Sequence, residues 1–120
     1  MLVTRLKNCP EFVAGDRTRL RELLHPDKAD AKVGYSLAHG SLDPGNQSLR
    51  HRLRSSEVYY FLAGEGTFTV GERSVQVTRG DMVYVPPGAE QWLVNTGIEP
   101  IEFLCLVDPA WKMEGEDILE

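Results

Sequence analysis

The chain has 120 residues, 42% of them apolar, and carries 13 Lys and Arg against 18 Asp and Glu, for a net charge of −5. That length suits one domain with a modest core of its own. The acidic balance excludes a nucleic-acid binder, which needs a basic face to displace counterions from phosphates. No run approaches the roughly 20 apolar residues that cross a bilayer, and the segment MLVTRLKNCPEF lacks the apolar stretch of a secretory signal. A cytoplasmic protein with no membrane or nucleic-acid partner is the expectation. The only local basic run, Arg50, Arg52 and Arg54, reads as a solvated strand face.

Residues 1–30 read as an N-terminal extension that packs on the main domain. Within it, GDRTRLRELLHPD fits two patterns. Asp16 could cap a short helix with Leu20, Leu23 and Leu24 on one face. Alternatively, Leu20, Glu22 and Leu24 alternate along a strand, and Pro26 with the β character of the chain beyond it favours that. His25, next to Pro26, is expected at the surface. Cys9 and Cys105 lie in apolar surroundings outside any C-x-x-C pair and are expected to be buried thiols.

From Gly34 onward the chain is punctuated by LDPGNQ, LAGEG, VGERS, TRGD and VPPGAE, at about the 8–12-residue spacing of all-β domains. Between them lie eight runs of strand composition: VGYSLAHGSL, SLRHRL, VYYFLA, GTFTV, SVQVT, MVYVP, QWLVN and IEFLCLV. Alternation such as Phe68 with Val70, then Val75 with Val77, marks half-buried strands. Eight short strands with tight turns predict a sandwich or jelly-roll barrel over 31–108. Residues 109–120 form a tail laid over the barrel by Trp111.

Two motifs sit in this series. The first runs Gly45, NQSLR, His51, Arg52, Leu53, RSS, Glu57, VYYFLA, Gly64. The second runs Gly80, DMVYV, Pro86, Pro87, Gly88, AE, Gln91, WLV, Asn95. In spacing the chain resembles the cupins, and among them the small single-domain cupins of the phosphomannose-isomerase-like group. The resemblance implies an all-β fold, the cupin-type double-stranded β-helix or jelly-roll barrel. Gly45, Gly64, Gly80 and Gly88 are expected at turns of positive φ.

The family's metal ligands are two histidines and a glutamate of the first motif and a histidine of the second. His51 and Glu57 occupy two of those positions, whereas Leu53 and Gln91 replace the other two. A strand sets residues 51 and 53 on one face, but Leu53 has no lone pair and presents an apolar group instead. Gln91 offers a neutral amide oxygen. The resemblance therefore implies a metal site of His51, Glu57 and Gln91 for a divalent ion (zinc, nickel, iron or manganese), short of the two-His-one-carboxylate triad. His39 would add a nitrogen if it turned inward, and alternation leaves its side open.

Three functions are compatible with these residues. One is a metal-binding cupin, and, if an enzyme, a metal-dependent isomerase or a dioxygenase-like one, with Glu57 as general base and His51 as anchor. Another is a metal-free barrel that binds a small organic or sugar-like molecule, with Leu53 and Gln91 in the ligand pocket. The last is a mainly oligomeric scaffold; a homodimer is the expected assembly, as cupins commonly pair. Without metal, Glu57 is expected in a partly desolvated cavity with its pKa raised, unless His51 becomes a cation beside it.

Overall fold

The computed structural model describes residues 1–120, and all eight expected runs form strands. In chain order the strands are β1 Glu11–Val13, β2 Arg19–Leu24, β3 Ser36–Leu42, β4 His51–Leu53, β5 Ser56–Ala63, β6 Glu65–Val70, β7 Arg73–Thr78, β8 Met82–Val85, β9 Gln91–Asn95, β10 Ile101–Asp108 and β11 Glu116–Ile118. They form a six-stranded sheet, β1-β2-β3-β10-β5-β8, and a five-stranded sheet, β11-β4-β9-β6-β7. Every strand pairing is antiparallel. This is the expected all-β jelly roll. No helix is long and apolar enough to cross a membrane.

The alternation in β5 and β10 explains why the barrel is full at one end and open at the other. In β5, Glu57, Tyr59 and Phe61 are buried while Tyr60 and Leu62 are exposed. In β10, Ile101, Phe103, Cys105 and Val107 are buried. Register sets Phe103 opposite Phe61, Cys105 opposite Tyr59 and Val107 opposite Glu57. Phe61, Phe68 and Ile101 therefore plug one end. Tyr59 floors the other, its ring 4.8 Å from that of Phe68 and 5.3 Å from that of Phe103. Beyond Tyr59 the interior opens into a cavity whose walls include Glu57 and Val107.

Two glycines make this packing possible. Gly40 lies under the Phe103 ring, where any Cβ would collide with it. Gly64, at φ +82°, closes the turn between β5 and β6, and a Cβ there would come 2.7 Å from the Pro100 carbonyl oxygen. Gly45, Gly80 and Gly88 also have the expected positive φ.

The chain ends build the cavity mouth. The ambiguous segment 19–24 is a strand, and β1 and β2 are hydrogen-bonded onto the edge of the larger sheet. The turn between them carries Asp16 and closes with Ala14 N–H donating to the Thr18 carbonyl at 2.8 Å. At the other end, β11 pairs with β4. His25 corrects a sequence expectation: it is buried, at 6% exposure, rather than at the surface. Its Nε2–H donates to the Trp111 carbonyl at 2.7 Å, and its Nδ1 accepts from the Asp27 N–H at 3.1 Å. That partner is 86 positions away, so nothing local announced it. With Trp111 N–H also donating to Ser36 Oγ at 2.9 Å, the tail is pinned across the barrel. Cys9 and Cys105 are buried free thiols.

The plug gives a direct test of the register. Phe61→Ala is expected to cost about 3–5 kcal/mol, whereas Tyr60→Ala, one residue away on the outer face, is expected to cost less than about 1 kcal/mol. Urea unfolding of the two variants measures both, and equal losses would contradict the register.

Candidate functional site

The two motifs meet at the open end. On β4, His51 and Leu53 point inward and Arg52 outward, where it reaches Asp117 at 3.3 Å. His51 lies opposite Gln91 of β9. Gln91 is wholly buried and sits behind the cavity wall rather than on it. Its Nε2 donates to Glu57 Oε1 at 2.8 Å, and its Oε1 accepts from the Tyr59 hydroxyl at 2.8 Å. A relay Tyr59–Gln91–Glu57 thus runs through the barrel, and both ends of the amide are used.

His51 is 3% exposed. Its Nδ1–H donates to the Leu49 carbonyl at 2.8 Å, which fixes the ring and leaves Nε2 towards the cavity. Asp16 Oδ2 stands 3.5 Å from that Nε2. The other carboxylate oxygen accepts from the Thr18 hydroxyl at 2.7 Å and the Thr18 N–H at 3.1 Å. Asp16 was legible only as a helix cap. The signal that could have found it is an Asp two residues before a Thr in a turn, a pattern that fixes the carboxylate by its own backbone. Glu116, also unforeseen, enters from β11 and accepts from Trp111 Nε1–H at 3.4 Å.

Burial pushes the Glu57 carboxyl up from 4.5 to about 7, against the opposing pull of the Gln91 amide and the His51 charge. The Tyr59 hydroxyl and the Cys105 thiol are pushed well above their ordinary values, by burial first and the nearby Glu57 charge second. Glu116 is also raised by burial, with His51 opposing and Asp16 reinforcing.

The cavity has a volume of about 560 Å³. Leu20, Ala38, Leu53, Phe103 and Val107 give it apolar walls, and Asp16, His51, Glu57 and Glu116 are among its polar groups. Leu53 lines it as expected. Gln91 is not on the wall but reaches it through Glu57. His39 is on the other face of β3, 3.5 Å from Glu102 Oε1, and lines an outer cleft.

These positions do not fit the divalent metal site implied by the motif. Leu53 offers no donor, the Gln91 oxygen is committed to Tyr59, and His39 faces away. No three His, Cys, Asp or Glu side chains are grouped so that they could hold a metal ion. Of the set His51, Glu57 and Gln91, two members line the cavity and the third braces one of them from behind.

The Cupin domain family matches residues 38–107. An uncharacterized protein of Methanocaldococcus jannaschii is 32% identical over 121 residues, covering 100% of this chain and 96% of that protein. An oxalate-binding protein of Thermotoga maritima is 32% identical over 71 residues, covering 58% of this chain and 59% of that protein. Among solved structures, a Streptomyces nucleoside dehydratase superimposes with a TM-score of 0.77 at 17% identity, over 100% of this chain and 92% of that one. At that identity the likeness concerns the fold.

Glu57 should make stability depend on pH in one direction. Below 4.5 both folded and unfolded chains hold its proton. Between 4.5 and about 7 the unfolded chain releases it and the folded chain keeps it. Rising pH thus removes stability across that window, on the order of 3 kcal/mol in all, with the loss complete above the folded value. Urea unfolding from pH 4.5 to 8 should show this extra slope in the wild type and not in Glu57→Gln. Parallel curves for the two proteins would contradict the assignment.

Proposed function

The chain belongs to the cupin family, and we propose that its barrel is a metal-independent pocket for a small organic molecule, equipped for proton transfer. One observation carries this reading. A cavity of about 560 Å³ remains open at the motif end, with apolar walls and polar side chains at hand. Ligand pockets typically run from about 300 to 1,000 Å³ and have this composition. Leu53, which removes a metal donor, supplies one of the apolar walls.

The polar groups have the chemistry for acid–base work. A general acid or base is most effective when its pKa lies near the working pH, and Glu57 stands at about 7. Gln91 holds its Oε1 in place through the relay from Tyr59. His51 presents Nε2 on a ring fixed by the Leu49 carbonyl, with Asp16 beside it to balance a developing positive charge. A ligand lying on Leu53 and Phe103 would meet Glu57 as the group that removes or delivers a proton and His51 as its complement. Proton-transfer chemistry, such as an isomerisation or an elimination, is the class such a set supports.

A fragment library screened by ligand-observed NMR tests the pocket. Hits are expected for the wild type and for His39→Ala, and are expected to be lost in Leu53→Trp, whose indole fills the cavity. Hits that survive Leu53→Trp would place binding elsewhere and overturn the reading. In parallel, the double variant Leu53→His, Gln91→His should gain tight zinc or nickel binding by elemental analysis after dialysis, while the wild type retains no stoichiometric metal. Stoichiometric metal in the wild type, lost in His51→Ala, would favour the metal-binding alternative.

A further inference from the structure

Resting on the pocket reading above, we infer that this cavity selects molecules with an apolar body and a positively charged nitrogen, and turns away carboxylates and phosphates. The charged residues on its wall carry the argument. Three carboxyl groups outside any ion pair with Lys or Arg reach it, from Asp16, Glu57 and Glu116, one from each of three separate segments. Facing them is one imidazole, His51, already 3.5 Å from Asp16. The only lysine on the wall, Lys28, has its ammonium 2.8 Å from Glu22 and is 69% exposed. No arginine lines the cavity. Arg19 and Arg21 of β2 are turned to the outer cleft, where both face Glu11, and Arg52 pairs with Asp117.

An entering anion would therefore find no free guanidinium or ammonium to replace its hydration, and would sit among like charges. A cation meets the opposite situation. Glu57 is 6% exposed on the cavity wall, and its neighbours Gln91, Tyr59 and Cys105 are neutral side chains that bring no positive charge. An ammonium is the group that brings a positive charge and N–H donors to these carboxyls together. The mouth adds a second, independent feature. Phe12 and Trp111 line it from the two ends of the chain, and aromatic faces attract ammonium groups. Trp111 also donates to Glu116, which ties one of these rings to one of the carboxyls.

Three probes that share one apolar body separate charge from shape: 2-naphthylmethylamine, 2-naphthylmethanol and 2-naphthoate, measured by isothermal titration calorimetry at pH 7.5. The ammonium is expected to bind about tenfold tighter than the alcohol, and the carboxylate about tenfold weaker than the alcohol or not at all. In Glu116→Gln the ammonium-to-alcohol ratio should fall at least about threefold, whereas Glu99→Gln, on the outside of the barrel, should leave the ratio at its wild-type value. Naphthoate binding as tightly as the alcohol would overturn the charge selection and leave the pocket reading intact. An unchanged ratio in Glu116→Gln would overturn the part assigned to that residue. Failure of all three probes would overturn the inference, while the fragment screen decides separately whether the pocket binds organic molecules.

Discussion

Gln91 has no exposed surface, so both halves of its amide must find partners inside the protein, and Tyr59 and Glu57 are those partners. The rest of the site depends on that requirement. An unpartnered buried amide would cost about 1–3 kcal/mol, so the tyrosine hydroxyl and the glutamate carboxyl are held as firmly as the strands that carry them. Tyr59 in turn is the floor between the packed and open halves of the barrel. With its oxygen accepting from that floor, Gln91 turns its amide nitrogen, which offers no lone pair to a metal, to Glu57. The residue that removes a histidine from the second motif thus also uses the vacated position to brace Glu57.

The same economy shapes the barrel. β5 and β10 run side by side from the plug of Phe61 and Ile101 to the cavity at Glu57 and Val107, so one register decides both stability and site. Filling one end with aromatic rings supplies the core that a 120-residue chain needs. Leaving the other end open means that Glu57 is buried without full solvation, and burial sets its proton affinity close to neutrality. The chain ends complete the arrangement. The β1–β2 turn delivers Asp16 and β11 delivers Glu116, so the electrostatics of the cavity come partly from segments outside the two motifs.

Much of this was legible in the sequence. Turn residues at regular spacing marked eight strands, and each formed, because period-2 patterning and glycine-bearing turns are local properties. The motif spacing located His51, Leu53 and Glu57 on the inner face for the same reason. What was not legible depends on distant partners. Nothing near His25 signals the Trp111 carbonyl that buries it. The alternation of β3 is polar and apolar on both faces, so the side of His39 could not be read until Glu102 of the neighbouring strand stood beside it. Asp16 looked like a capping residue because its turn chemistry is local, and its approach to His51 is not. Gln91 was placed on the correct strand, but whether its amide faced the cavity depended on Tyr59, a residue 32 positions away.

The central claim is that the barrel's polar residues are committed to one another and to an organic ligand rather than to a metal ion. Crystals soaked in manganese and measured by anomalous diffraction test it most directly. The account predicts no anomalous peak inside the barrel, with the Gln91 amide still bridging Tyr59 and Glu57. A peak bound by His51 and Glu57, with the Gln91 oxygen rotated away from Tyr59 towards it, would contradict the account.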